Sequence, residues 1–473
     1  MSYPDRTAFI ISNPQSIAEI LNRKPAIFRI FLVGANQVNH PSVMACHGMS
    51  FHDTAVRICQ EMLGRRLMHI VSDESNRSLQ QKVSELVGDS CRFAVSGAIQ
   101  SALANLWCNL SFLQGSRSVD SARGLFHGVP AIIVSAGPSL EKNVHLLDNL
   151  KNKAILISCG SALGPLRRRG ITPHFEVVVD PNPAMHEVLR PYLDSPVCFV
   201  LSLMAQYRIS QECAGQRMYF LVNFDTRVTE DLKRITRINT ILPAMASVST
   251  TALFFAIHAG CDPIIFVGLD LCYTDGRTHI DNIDPPKDSC MFKAADGRLV
   301  QSSTAMKEAF DFYADFLPTL KDRKIVNATE GGAGVYGAEH ISLAEATARY
   351  LTRTITPPEL TSLDVADSQR KSRLRQLRNS FNAMLVKTAG FNRKIRAQFE
   401  KHRDEARMNA KITQWFESLH AMAGYEYLAC YLDWACYRAD TSDGLEPKLE
   451  LLTATAQTLQ QQIQLIEKAI GQL

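Results

Sequence analysis

The chain has 473 residues, of which 46% are hydrophobic and 21% charged, with a formal net charge of +4. This composition excludes a disordered or collagen-like chain, and the length accommodates two to four domains of roughly 100 to 200 residues. So small a positive charge demands no nucleic acid, no apolar run approaches the roughly 18 residues of a membrane span, and the opening MSYPDRTAFI lacks the basic, apolar and small-residue order of a secretory signal. A cytoplasmic protein without membrane insertion is expected. The twelve cysteines include no CxxC and no Cys/His cluster at zinc spacing, so reduced and mostly buried thiols are expected.

Residues 1–120 mix short apolar runs, IFRIFLVGA (27–35) and LMHIVSD (67–73), with segments of helical period, which predicts a small α/β domain. Gly34 ends the first run, and without a following GxxG spacing it reads as a strand-end turn rather than a ligand loop. Residues 121–355 carry seven apolar, β-branched runs alternating with helical segments: 131–136, 154–159, 175–180, 197–202, 218–223, 263–268 and 323–328. Continuous runs of five or six residues suit strands buried on both faces of a parallel sheet, so a doubly wound, mainly parallel Rossmann-like α/β domain is predicted. Beyond Pro357 and Pro358 the β signal vanishes, and residues 356–473 read as an all-helical domain. Apolar residues there recur at helical spacing at Leu374, Leu377, Phe381 and Met384, and again from Leu449 through Leu452, Ala456, Leu459, Ile463 and Ile466 to Ile470. Between Arg370 and Lys411 lie 13 Lys or Arg against three acidic residues, Glu400, Asp404 and Glu405. A solvated helical face and a docking surface for an acidic partner protein both fit that run.

In open α/β sheets ligands bind beyond the carboxyl ends of the strands. The first central run ends in Ala136, Gly137, Pro138 and Ser139, a turn that gathers backbone N–H groups and one hydroxyl at a helix start. An anion-binding corner and a structural turn with a capping serine both fit it. Gly160 and Ser161 follow the second run, and Asp180 and Asn182 the third; an Asp in that place contacts a ribose hydroxyl or caps a helix. Ser247, Ser249 and Thr250 form a hydroxyl cluster opening a helix, and a later strand ends in Gly268, Leu269 and Asp270, with Tyr273 and His279 on the loop beyond. Polar groups from several turns thus converge on one edge.

SAGPSL, SCGSALGPLRRRGITPHFEVVVDPNP, GLDLCYTDGRTHID and NATEGGAGVYG together resemble the motility accessory factor (Maf) proteins over about residues 125–345. That family is in turn similar to the bacterial CMP-sialic acid sialyltransferases, which share a Gly-Pro-Ser-Leu turn and a Gly-hydrophobic-Asp strand end. The resemblance implies a sialyltransferase-like sheet and a glycosyltransferase that moves a nonulosonic acid, of pseudaminic or legionaminic type, from its CMP-activated form to Ser or Thr hydroxyls of flagellin. The helical tail would recognise flagellin.

On this resemblance Gly137, Pro138 and Ser139 would lie against the CMP phosphate or ribose, with Gly160, Ser161 and Asp180 near the nucleoside. Ser247, Ser249 and Thr250 would complete the pocket, and Asp270 and His279 are implied as catalytic. The sialyltransferases carry two tyrosines after this turn and a base histidine in a later lid. Here Cys272 stands nearest the first tyrosine position with Tyr273 beside it, Thr278 and His279 stand near the second, and the lid segment 295–304 contains no histidine. His279 is the nearest substitute, and a base, a phosphate-contacting histidine and a structural histidine all fit it. Single displacement with inversion is implied, with no metal or cofactor, because a monophosphate leaving group has no diphosphate to clamp. Two other functions share parts of the pattern: a Mg-ATP-dependent hydroxymethyl-pterin pyrophosphokinase, with carboxylates at Asp180, Asp270 and Asp275, and a non-catalytic flagellin-binding assembly factor.

Overall fold

The structure is a computed structural model and describes residues 7–22, 28–33, 43–46, 69–83, 98–222, 226–244, 247–281, 290–356, 367–402, 405–419, 422, 427 and 446–472. The Gly34 turn, the Pro357 and Pro358 boundary, and Cys59, Cys91, Cys430 and Cys436 lie outside these residues. The chain divides into two compact units, residues 1–100 with 379–463 and residues 101–378 with 464–473.

The first unit contains strands β1 (Thr7–Ile11), β2 (Phe28–Val33), β3 (Val43–Cys46) and β4 (His69–Ser72), paired in parallel in the order β3-β2-β1-β4. Phe9, Ile11, Ile30 and Leu32 project from β1 and β2 onto Ile20 of the helix Ser16–Asn22. The described N-terminal residues of this unit thus have a parallel α/β arrangement.

The second unit holds β5 (Arg117–Ser118), β6 (Ala131–Val134), β7 (Ile155–Cys159), β8 (Phe175–Val178), β9 (Cys198–Ser202), β10 (Arg217–Phe220), β11 (Ile264–Val267), an outlying antiparallel hairpin of β12 (Cys290–Lys293) and β13 (Leu299–Ser302), then β14 (Ile325–Asn327) and β15 (Glu339–His340). Nine of them form one sheet in the order β15-β14-β11-β6-β7-β8-β9-β10-β5, and every neighbouring pair is parallel. The seven apolar runs supply seven of these strands. The remaining two, β5 and β15, are two residues long and leave no periodic trace.

Successive strand residues serve two cores, because side chains alternate across the sheet. Ile133, Ile157, Val177 and Phe266 join one cluster with Phe255 of the helix Val248–His258; Ile132, Leu156, Ile265 and Val267 join another with Leu147, Leu166 and Leu343. Each such aliphatic side chain contributes about 1.5–3 kcal/mol of burial, which explains why the runs are uninterrupted. The order also sets a switch point. From β6 the chain winds outward to β10 and returns as β11 on the other side of β6, so the switch point, where a doubly wound sheet holds its ligand crevice, lies between the carboxyl ends of β6 and β11.

Every described element from Asp367 onward is helical: Asp367–His402, Glu405–Ser418 and Glu446–Gln472. Leu374, Leu377, Phe381 and Met384 are buried, as are Leu449, Leu452, Leu459, Ile463 and Ile466. Two cations of the basic run are tied into the second unit. Arg370 is fully buried and donates to the Leu110 carbonyl at 2.6 Å, and Arg373 grips the Asp231 carboxylate at 2.7 and 2.8 Å. Among the described residues no helix is long and apolar enough to cross a membrane.

Candidate active site

The turns leaving β6 and β11 cross at backbone distance. Ser135 N–H donates to Val267 O and Gly137 N–H to Gly268 O, both at 2.9 Å. Gly268 takes a left-handed φ of +67°, and a Cβ built there would overlap the Ser135 carbonyl oxygen. Gly137 is equally confined, because a Cβ would strike the Asp270 carboxylate and the Gly268 carbonyl. Both positions therefore require glycine for close contact, and Gly268 requires it for its conformation as well.

This crossing delivers Asp270 onto the Ser139 turn. Asp270 is 3% exposed, and its carboxylate accepts the Ser139 hydroxyl on Oδ1, with Ser139 N–H at 3.2 Å and the Thr274 hydroxyl at 2.5 Å on Oδ2. Burial pushes its pKa above the usual carboxylate range, opposed by those hydrogen bonds from Ser139 and Thr274. The Ser139 donors expected to face a substrate anion thus face the chain's own carboxylate. Asp270 consequently anchors three segments: the 3-10 turn Pro138–Lys142, the loop at Thr274 and, through its carbonyl, Ala333 N–H at 2.7 Å.

The loop after Asp270 folds back over the same corner. Ile280 N–H donates to Ala136 O at 2.8 Å, Arg277 forks onto Glu141 at 2.9 and 3.1 Å, and Asp281 pairs with Arg168. These ties hold His279 half-buried with Nδ1 3.1 Å from the Thr278 hydroxyl. Burial lowers its pKa below the ordinary histidine value, with the Asp270 charge pulling the other way. Tyr273 is partly buried and its N–H donates to Gln301 O at 2.8 Å; beside it Cys272 is buried, its thiol pushed up to about 11 by burial and the Asp270 charge.

The remaining sequence candidates lie on the β7, β8 and helix Val248–His258 side. Gly160 and Ser161 form the turn after β7, and Gly160 comes near Met185 and Val248. Asp180 accepts Asn182 N–H at 2.8 Å, and Asn182 caps the helix Pro183–Leu189 by accepting Ala184 N–H at 2.9 Å. Ser247 caps the helix Val248–His258, the Thr250 hydroxyl donates to Ser247 O at 2.6 Å, and the buried Tyr313 hydroxyl donates to Ser249 Oγ at 2.9 Å. The hydroxyl cluster thus has internal partners throughout, and its first described role is to start a helix.

Glu176 escaped the sequence reading. It lies fully buried within β8, bonded to the Ser158 hydroxyl of β7, and its Oε1 meets no partner among the described residues. Burial raises its pKa well above the carboxylate range, despite the Ser158 hydroxyl and Gly160 N–H. Its signal was one acidic residue within the apolar run 175–180. A carboxyl with a raised folded pKa contributes stability that is complete below its unfolded pKa and is lost as pH rises through the folded value. Wild type is therefore expected to lose more of its urea-unfolding stability between pH 5 and pH 9 than Glu176→Gln; equal losses would refute the buried neutral acid.

Beyond β14 the glycine-rich segment 331–334 borders a cavity of about 390 Å³, closed on the far side by Ala295, Asp296 and Arg298 of the β12–β13 turn and by His340. Ala295 N–H donates to Ala333 O at 2.8 Å and Arg298 to Gly332 O at 3.1 Å, which latches that turn to the glycine segment. Gly331 packs on Ser139, where a Cβ would come within 2.9 Å of the serine Cβ, and Gly332, at φ +69°, has no room for one beside the Asp270 backbone. The cavity thus adjoins the Ser139 and Asp270 corner. No cluster of three or more His, Cys, Asp or Glu with metal-holding geometry occurs among the described residues. Cys108, Cys159, Cys198, Cys213, Cys261 and Cys272 are buried free thiols, and Cys290 is a partly buried one.

Comparison with known proteins gives likenesses of two kinds, to a family model and to solved structures. Residues 104–276 match the family model described as MptE-like, 6-hydroxymethylpterin diphosphokinase MptE-like. The solved structure of the MAf glycosyltransferase from Magnetospirillum magneticum AMB-1 is similar with a TM-score of 0.55 and 13% sequence identity, over 98% of this chain and 79% of that one. No curated protein matches the chain. The chain has a Maf-like α/β fold, with the parallel nine-stranded sheet and the all-helical C-terminal region.

Proposed function

We propose that the chain is a glycosyltransferase that moves a nonulosonic acid from its CMP-activated form onto Ser or Thr hydroxyls of flagellin. The observation that carries this reading is the extent of the likeness: 98% of the chain, including its helical region, superposes on a glycosyltransferase fold. In this reading the nucleoside lies over the turns at Gly160, Ser161 and Asp180, flanked by Ser247, Ser249 and Thr250. The phosphate meets the crevice bounded by Ala136–Ser139, Gly268 and Tyr273. Asp270 works as a positioning residue, since both of its oxygens are engaged in holding Ser139 and Thr274. Burial disfavours the charged form of His279, and its imidazole suits hydrogen bonding or proton transfer at the reacting centre. The domain division at residues 1–120, 121–355 and 356–473, with the last segment docking flagellin, belongs to the same proposal.

The diphosphokinase suggested by the family model requires carboxylates free to hold magnesium against phosphates. Asp270 is buried in its hydrogen bonds and Asp180 accepts Asn182 N–H through Oδ1, which leaves Asp275 as the exposed carboxylate of the three. Calorimetry with CMP and with ATP plus Mg²⁺ separates the two. Metal-independent CMP binding, weakened in Ser139→Ala with the fold retained, is the expected result; preference for Mg-ATP would sink the glycosyltransferase reading.

A further inference from the structure

The cavity beyond β14 is lined on one side by a histidine, His340. His340 Nε2 stands 2.8 Å from the Val335 carbonyl, which can only accept, so Nε2 is the donor there and Nδ1 is the nitrogen that a neutral ring would offer as acceptor. The ring is exposed and lines the cavity. Gly334 packs beside this edge of the ring, where a Cβ would lie 2.9 Å from His340 Cε1 and 3.6 Å from Nδ1, so a larger residue there would crowd Nδ1. The β12–β13 turn, latched to the glycine segment by Ala295 and Arg298, forms the opposite wall.

The layout along the sheet edge gives this cavity a place in the reaction. The turns after β7 and β8 lie to one side of the β6–β11 crevice, and the segment after β14 lies to the other. In a single displacement the attacking oxygen approaches opposite the leaving group. A nucleotide over β7 and β8, with its phosphate at the crevice, therefore directs the acceptor to the β14 side. On the glycosyltransferase reading, we propose that this cavity receives the acceptor hydroxyl and that His340 is the catalytic base. The hydroxyl proton passes to His340 Nδ1, the oxygen bonds to the anomeric carbon, and the bond from that carbon to the phosphate oxygen breaks, its electron pair leaving with CMP. His279 then serves the leaving phosphate rather than the acceptor.

The test uses the full chain with CMP-pseudaminic acid or CMP-legionaminic acid and purified flagellin, with transfer followed by mass spectrometry and CMP affinity by calorimetry. His340→Gln, whose amide can still donate to Val335 O, is expected to lower turnover about 10²- to 10⁴-fold with CMP affinity unchanged. His340→Ala is expected to recover part of its turnover when imidazole is added, which a purely structural histidine would not permit. Wild-type turnover in His340→Gln, loss of CMP affinity alongside turnover, or no imidazole recovery in a folded His340→Ala each overturns the assignment while leaving the glycosyltransferase reading intact. A wild-type protein that binds no CMP and transfers neither sugar overturns both.

Discussion

Gly268→Ala is expected to cost about 3 kcal/mol of folding stability, the sum of a left-handed alanine at about 1–2 kcal/mol and forced overpacking at about 1–3 kcal/mol. The overlap is with backbone, the Ser135 carbonyl, and Leu140 Cβ lies 3.1 Å away, so no flexible side chain can yield. Ser135 is also bound through its own N–H to Val267 and cannot retreat without opening the β6–β11 pairing. Gly170→Ala is the control: at φ +75° it has nothing within 4 Å of the built Cβ and should incur only the conformational part. Urea midpoints and slopes of the two variants measure the difference. Equal losses would show that the crossing relaxes and that Asp270 is not held by backbone contact.

His279→Gln is expected to lower sugar transfer about 10²- to 10³-fold, the usual loss when one donor to a developing charge is removed. CMP affinity should fall with it, in contrast to His340→Gln, because His279 is assigned to the phosphate side. Undiminished transfer in the folded variant would remove His279 from the mechanism. The same variant has a pH signature. A histidine whose folded pKa is depressed contributes stability that is present above its unfolded value and lost as pH falls through the folded one. Burial depresses His279, His174 and His258 in this way, so the wild type should weaken as the pH drops below about 6.5. His279→Gln should weaken less over that interval, as read from urea midpoints at pH 7 and pH 5.

Much of the fold was legible in the sequence because burial on both faces leaves an uninterrupted apolar run. Ala131–Val134 and Ile264–Val267 could hardly be anything but interior strands. The strand-end turns were legible for a related reason: Gly137 and Gly268 sit where no other residue fits, and they marked the crevice before its geometry was known. Glu176 was missed because a single acidic residue does not break the apolar pattern around it. His340 was missed because β15 is two residues long and because its neighbours in the cavity, Ala295 and Arg298, come from a hairpin some forty residues earlier in the chain.

Which residues gather at the carboxyl edge of a parallel sheet was thus determined by the sequence itself, through hydrophobic runs and the glycines that end them. What those residues touch was decided only by tertiary structure. The Ser139 donors found Asp270, 131 positions away, and the hydroxyls at Ser247 and Ser249 found a helix start and Tyr313. Such pairings depend on strand order, here the return of β11 beside β6, and strand order is a property of the whole folded chain that no local spacing records.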